Sequence, residues 1–131
     1  MQHGDTLITG SYDCTIRVWN LQTSKCLKTI TCASSISCID YLPEYGVVAA
    51  GCHAVGTIFI LSSTSGQVLA TLQGHNKGIK SVAISDKYIV SAGMDKALVV
   101  WSLETGKKIV RFGSQTNLSL VGGGVLDHPR V

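Results

Sequence analysis

Charge is scarce in this chain: Asp, Glu, Lys and Arg make up 15% of its 131 residues, with a formal balance of +3. The densest basic cluster, Lys107, Lys108 and Arg111, lies inside a run of strand formers, so it reads as a solvated strand face. Nothing here has the electrostatic footprint of a protein whose main ligand is DNA or RNA. No apolar stretch reaches the ~18 residues of a membrane-spanning helix. The opening MQHGDTLITG has no basic segment followed by an apolar run, so no secretory signal is visible. Proline occurs only twice against fourteen glycines, a balance suited to short strands joined by tight turns. Disorder is excluded as well, because apolar residues reach 45%.

The five cysteines, Cys14, Cys26, Cys32, Cys38 and Cys52, contain no C-x-x-C pair, and their number is odd. A disulfide framework is therefore not expected, and a reducing, intracellular setting (cytoplasm or nucleus) is. His3, His53, His75 and His128 are far apart and in no ligand spacing, so no metal is expected, and no cofactor. The triple glycine Gly122–Gly124 lacks a following Lys-Ser/Thr and is not a phosphate loop.

What the chain does have is one phrase written twice. SYDCTIRVWN at Ser11–Asn20 and GMDKALVVWS at Gly93–Ser102 each place Asp six residues before Trp, and Trp19 and Trp101 stand 82 residues apart. At the same offset LQTSKCLKTI (Leu21–Ile30) lies over LETGKKIVRF (Leu103–Phe112). Between them, TIFIL at Thr57–Leu61 takes the slot of TIRVW and ALVVW, marking a diverged middle unit. Each unit predicts strands: Leu7–Thr9, Val47–Ala50 and Tyr88–Ser91, then Thr15–Trp19, Thr57–Leu61 and Ala97–Trp101. After the turns come Cys26–Ile30, Val68–Leu72 and Lys108–Phe112, and ahead of the second and third units lie Ile36–Tyr41 and Ile79–Ile84. Four short strands per period of about 40 residues, with no helical pattern, predict an all-β propeller of four-stranded antiparallel blades. The nearly continuous apolar runs suit sheets covered on both faces.

The third unit, QGHNKGIKSVAISDKYIVSAGMDKALVVWSLETGKKIVRF, resembles the WD-repeat (WD40) β-propeller family in its Gly-His, strand Ser, turn Asp and Trp. The resemblance implies a buried chain in which Trp101 donates to Ser91, Ser91 to His75 and His75 to Asp95. Such groups are costly to bury unless each finds a partner. The first unit keeps part of the set, Thr9, Asp13 and Trp19. The middle unit replaces every member, with Cys32, Gly51, Val55 and Leu61 at the matching positions. The expected division is a partial first blade (1–31) whose first strand would precede Met1, a diverged blade (32–73), a third blade (74–112), and a tail (113–131). Thr116–Val121 could add a strand in that tail. Three blades do not close a propeller, so a fragment of a longer protein and a self-associating piece both stay open.

His75, Ser91 and Asp95 superficially offer a catalytic triad, but the repeat assigns them to structure, and no catalysis is expected. The resemblance implies a scaffold that binds other proteins or peptides, or further blades; from the spread charge and the short apolar runs, neither nucleic acid nor membrane is an expected partner. In the family the residue before the turn Asp faces one rim, which here selects Tyr12 and Met94, with His53 and Ala54 in the middle turn. Asn76 and Lys77, directly after His75, join them. The compact spacing is also similar to that of F-box substrate receptors of ubiquitin ligases, although no F-box segment is seen. The alternative is a purely structural unit whose only partners are other blades.

Overall fold

The computed structural model describes residues 2–113, with side chains from residue 4. Twelve strands form three four-stranded antiparallel sheets, each in simple sequence order. Blade 1 holds β1 (Gln2–His3), β2 (Thr6–Gly10), β3 (Thr15–Asn20) and β4 (Lys25–Thr31). Blade 2 holds β5 (Ile36–Leu42), β6 (Val47–Cys52), β7 (Thr57–Ser62) and β8 (Val68–Gln73). Blade 3 holds β9 (Ile79–Ile84), β10 (Tyr88–Gly93), β11 (Leu98–Ser102) and β12 (Lys108–Phe112). Among the described residues there is no helix. The expected extra strand at 116–121 and the tail fall outside the described residues.

One element was not anticipated. Blade 1 contains a short first strand, with Gln2 paired to Leu7 as Ile84 is paired to Ile89 in blade 3. The repeat offset puts that strand before Met1, whereas the pairing places it at Gln2–His3. Two residues are too few to show a strand pattern, so only the pairing reveals it.

The pairings superpose the three units residue by residue. Leu7, Val48 and Ile89 lie opposite Trp19, Leu61 and Trp101. Because side chains alternate across a pleat, this register sorts each blade into two faces. Ile8, Ile16, Val18 and Ile30 of blade 1 pack on Ile36, Val48, Ala50 and Leu61 of blade 2. The opposite face of blade 2, with Ala49, Ile58, Ile60 and Leu72, packs on Ile79, Ile84, Ile89, Val99 and Trp101 of blade 3. Every one of these residues is buried, which is why the apolar runs look continuous in sequence.

The third-to-fourth-strand turns share a left-handed residue: Ser24, Gly66 and Gly106 have φ of 59°, 75° and 70°. Glycine adopts this conformation freely and serine does so at a cost. Each outer strand then slips by one residue at the same point. The unpaired residues, Leu27, Leu69 and Ile109, stand out from the sheet at 62%, 56% and 54% exposure.

A buried carboxylate ties blade 2 to blade 3. Asp40 on β5 is fully buried; its Oδ2 accepts from the Ile84 N–H at 2.9 Å and its Oδ1 from the Tyr41 N–H at 3.0 Å. Ile84 lies on β9, the edge strand of its sheet, so the bond satisfies an amide that has no strand beyond it. On the same strand Ser37 Oγ donates to the Ile79 carbonyl. Sequence reading passed over Asp40; a lone Asp inside ISCIDYL was the available signal. Asp40→Ala is expected to lower stability by about 1–3 kcal/mol in urea unfolding, by leaving amides unmatched, with Asp40→Asn costing less. A variant as stable as its parent would show that the bond carries no net stability.

Candidate functional site

The loop from Gln73 to Ile79 brings His75 between two elements of blade 3. His75 Nε2 lies 2.8 Å from Ser91 Oγ on β10, and Nδ1 lies 3.1 Å from Asp95 Oδ1 in the β10–β11 turn. Trp101 Nε1 on β11 donates to the same Ser91 Oγ at 3.1 Å. With Nδ1–H donating to Asp95, Nε2 accepts from Ser91, whose oxygen accepts from the indole. The structure thus brings Trp101, Ser91, His75 and Asp95 into one continuous chain. Ser91 is fully buried, and His75 and Trp101 are nearly so.

Asp95 also accepts from the backbone N–H of Asn76 at 2.9 Å and of Ala97 at 3.1 Å. Its side chain is 6% exposed, and Arg111 Nη2 stands 3.4 Å from its Oδ2. Burial alone would raise this carboxyl, but the Asn76 amide, the His75 ring and the Ala97 amide outweigh it and hold the pKa at about 2. Arg111 therefore does more than face solvent, as its sequence cluster suggested; Lys107 and Lys108 are exposed. The serine is enclosed and its hydroxyl is committed to the ring, so the arrangement is built to hold a loop.

Blade 1 keeps half of the chain. Trp19 Nε1 donates to Thr9 Oγ1 at 3.1 Å, while Asp13 turns to the Thr15 N–H at 3.0 Å, the Thr15 hydroxyl and Arg17. In blade 2 the pairing corrects one assignment. Ala50, and not Gly51, holds the place of Ser91, because Ala50 pairs with Phe59 as Ser91 pairs with Val99. The reason is a longer turn: six residues, Cys52 to Thr57, separate the paired Gly51 and Ile58, where five, Gly93 to Ala97, separate the paired Ala92 and Leu98. Val55 consequently stands in solvent at 45% exposure, whereas Leu61 is fully buried in the Trp101 position.

The rim candidates gather at the end of the sheets that carries the second-to-third-strand turns. Tyr12 is 65% exposed, and its ring lies 4.8 Å from that of His53 on the neighbouring blade, tilted by 43°. Ser35 Oγ donates to the Tyr12 carbonyl at 2.9 Å, and the Ser35 carbonyl accepts from His53 N–H at 2.9 Å. Ser35 was missed in the sequence, where nothing separates it from any turn serine. Met94 is 44% exposed, and its N–H donates to the Gly78 carbonyl at 2.8 Å. Asn76, Lys77 and Ala54 are exposed nearby. These turns interlock tightly, since a Cβ at Gly78 would fall 1.7 Å from the His53 carbonyl oxygen. Only glycine fits there. Tyr12 and His53 are brought together, while Met94 belongs to the blade 2–blade 3 boundary.

All five cysteines are free. Burial pushes the Cys32, Cys38 and Cys52 thiols up, so these three do not stand as reactive thiolates. Among the described residues no group of His, Cys, Asp or Glu could hold a metal ion, and no helix is long and apolar enough to cross a membrane.

Consecutive four-stranded antiparallel sheets packed face to face, with an indole–hydroxyl–imidazole–carboxylate chain in one of them, define a run of propeller blades. The family model described as "WD domain, G-beta repeat" matches residues 1–20 and 66–102. The DENN domain and WD repeat-containing protein SCD1 of Arabidopsis thaliana is 30% identical over 108 residues, covering 81% of this chain and 9% of that protein. The target of rapamycin complex subunit LST8-1 of the same plant is 30% identical over 100 residues, covering 74% and 33%. Among solved structures, the computationally designed Ika8 protein superposes with a TM-score of 0.79 at 26% identity, covering 88% of this chain and 36% of that one. The chain belongs to the WD-repeat family. It spans a third or less of the length of these two curated relatives.

Two outcomes follow from the blade 3 chain. Trp101→Phe removes the donor to Ser91 and is expected to cost about 1–3 kcal/mol, read as an earlier thermal melt; an unchanged melt would remove the bond from the stability account. Asp95 is ionised more readily in the folded state than in the unfolded one, so its contribution is complete above about pH 4 and falls away toward pH 2. Urea titrations across that range should show a loss of about 2 kcal/mol on acidification that Asp95→Asn lacks.

Proposed function

We propose that this chain acts as a protein-interaction scaffold with no catalysis of its own. The observation that carries the reading is the Tyr12–His53 pair: two exposed rings, on turns of adjacent blades, held by the Ser35 backbone and side chain. Exposed aromatics on rigid supports bury much area at little entropic cost when a partner docks. Met94 adds an adaptable contact on the next boundary, with Asn76 and Lys77 as polar surroundings. LST8-1 is named as the subunit of a complex, which agrees with such a role for its blades. The narrower reading, a substrate-recognition subunit of a ubiquitin ligase, rests on blade spacing alone.

A second reading is a structural unit whose partners are further blades or another copy. One observation favours it. Val90, Leu98 and Val100 on the far face of blade 3 occupy the positions that dock blade on blade elsewhere, and no described strand packs across them.

The two readings separate experimentally. Tyr12→Ala combined with Met94→Ala is expected to leave stability within about 0.5 kcal/mol of the parent. Affinity capture with quantitative mass spectrometry should then show loss of partners that the parent retains. If every captured partner survives the double substitution, the rim is not the docking surface. A ring of copies in light scattering, with no other protein retained, would favour the structural reading.

A further inference from the structure

The repeat makes the two inter-blade clefts comparable position by position. In the cleft between blade 1 and blade 2, the Lys28 ammonium donates to the Ser65 carbonyl at 3.2 Å. Its stem lies over Gly66, where an added Cβ would stand 3.1 Å from Lys28 Cδ and 3.2 Å from Ile30 Cγ1. Lys28 faces Val18 across its strand pair, and Ala70 faces Ile60. Ala70 therefore holds the place of Lys28 in blade 2, with a methyl where blade 1 has a four-carbon stem and an ammonium.

The cleft between blade 2 and blade 3 is open at that spot. A cavity of about 330 Å³ is bordered by Ala70, Leu72, Leu69, Thr105, Gly106 and Glu104. Thr105 and Gly106 repeat Ser65 and Gly66: both glycines are left-handed, and each donates its N–H to the serine four residues earlier. The atom nearest to a Cβ added at Gly106 is Leu72 Cδ2, at 3.9 Å, with no lysine between. Thr64 of the earlier turn is replaced by Glu104, so a carboxylate stands beside this vacated place.

We propose that this cavity receives a lysine side chain presented by a partner protein. The hydrocarbon stem lies over the Ala70 methyl and along Leu72, which holds the place of Ile30 beside Gly66 in the first cleft. The ammonium donates to the Thr105 carbonyl, as Lys28 does to Ser65, and Glu104 supplies the opposite charge. A purely apolar occupant would fill the walls but would leave the carbonyl and the carboxylate unanswered. The site lies at the third-to-fourth-strand turns, the end of the sheets opposite the rim, and the proposal does not depend on the rim reading.

The test is a ¹⁵N NMR titration of the full chain with a short capped peptide containing one lysine, run beside its Nε-acetylated twin. The lysine peptide should shift the amides of residues 69–71 and 105–107, and acetylation should weaken binding roughly tenfold, since it removes the charged donor. Ala70→Lys places the chain's own lysine in the cavity and should abolish the shifts. Glu104→Gln, an exposed and conservative change, should weaken them about threefold and covers the case of a poorly folding Ala70→Lys. Equal binding of the acetylated twin would make the cavity merely apolar and overturn the proposal. So would shifts that persist in folded Ala70→Lys, or no shift with either peptide.

Discussion

A blade has two apolar faces, and one neighbour can cover only one of them. Much else in this structure follows from that constraint. Blade 2 is satisfied on both sides, by Ile8, Ile16 and Val18 of blade 1 and by Ile79, Val99 and Trp101 of blade 3. Hydrophobic burial of this kind is non-directional and would tolerate a slipped sheet. Direction comes from a few polar contacts across the same boundaries. Asp40 meets an edge amide of the next blade, and Ser37 meets an edge carbonyl five residues away on the same strand, so the two sheets are indexed against each other. A one-residue slip would reverse which side chains enter the boundary and would orphan both contacts.

The hydrogen-bonded chain of blade 3 has a narrower role than its chemistry suggests. Blade 2 lacks every polar member and still forms the same four-stranded sheet in the same order, with Ala50 and Leu61 fully buried where Ser91 and Trp101 stand. The chain is therefore dispensable for making a blade. What it holds is the loop around His75, and with it Asn76, Lys77 and the Gly78 contact to Met94, at one end of the molecule. In blade 1 the Asp13 turn closes on itself through Thr15 and Arg17.

The strand content and the pairing of units were legible because the repeat wrote them three times. Trp19 and Trp101 gave the offset, and the β-branched runs before them gave the strands. The buried chain was legible through the family resemblance that His75, Ser91, Asp95 and Trp101 carry, which implies those bonds. Two kinds of feature were not. Ala50 was misplaced by one residue, since an insertion in an apolar turn leaves no mark when neighbouring residues are equally small. Asp40, the Tyr12–His53 ring contact and the open cleft beside Ala70 depend on side chains from two blades, and the angle between blades is set by packing that no single unit encodes. The cleft is visible only as a difference between two boundaries that sequence comparison treats as equivalent.

The slip that leaves Leu27, Leu69 and Ile109 out of register has a consequence for the outside of the molecule. Every blade ends in an outer strand, and a regular one would offer its spare amides and carbonyls to any passing extended peptide. One extra residue at the same height in each blade twists that border and interrupts its ladder, while setting an aliphatic group outward. A peptide continuing the sheet would therefore meet the same interruption in each blade, beside an exposed aliphatic side chain.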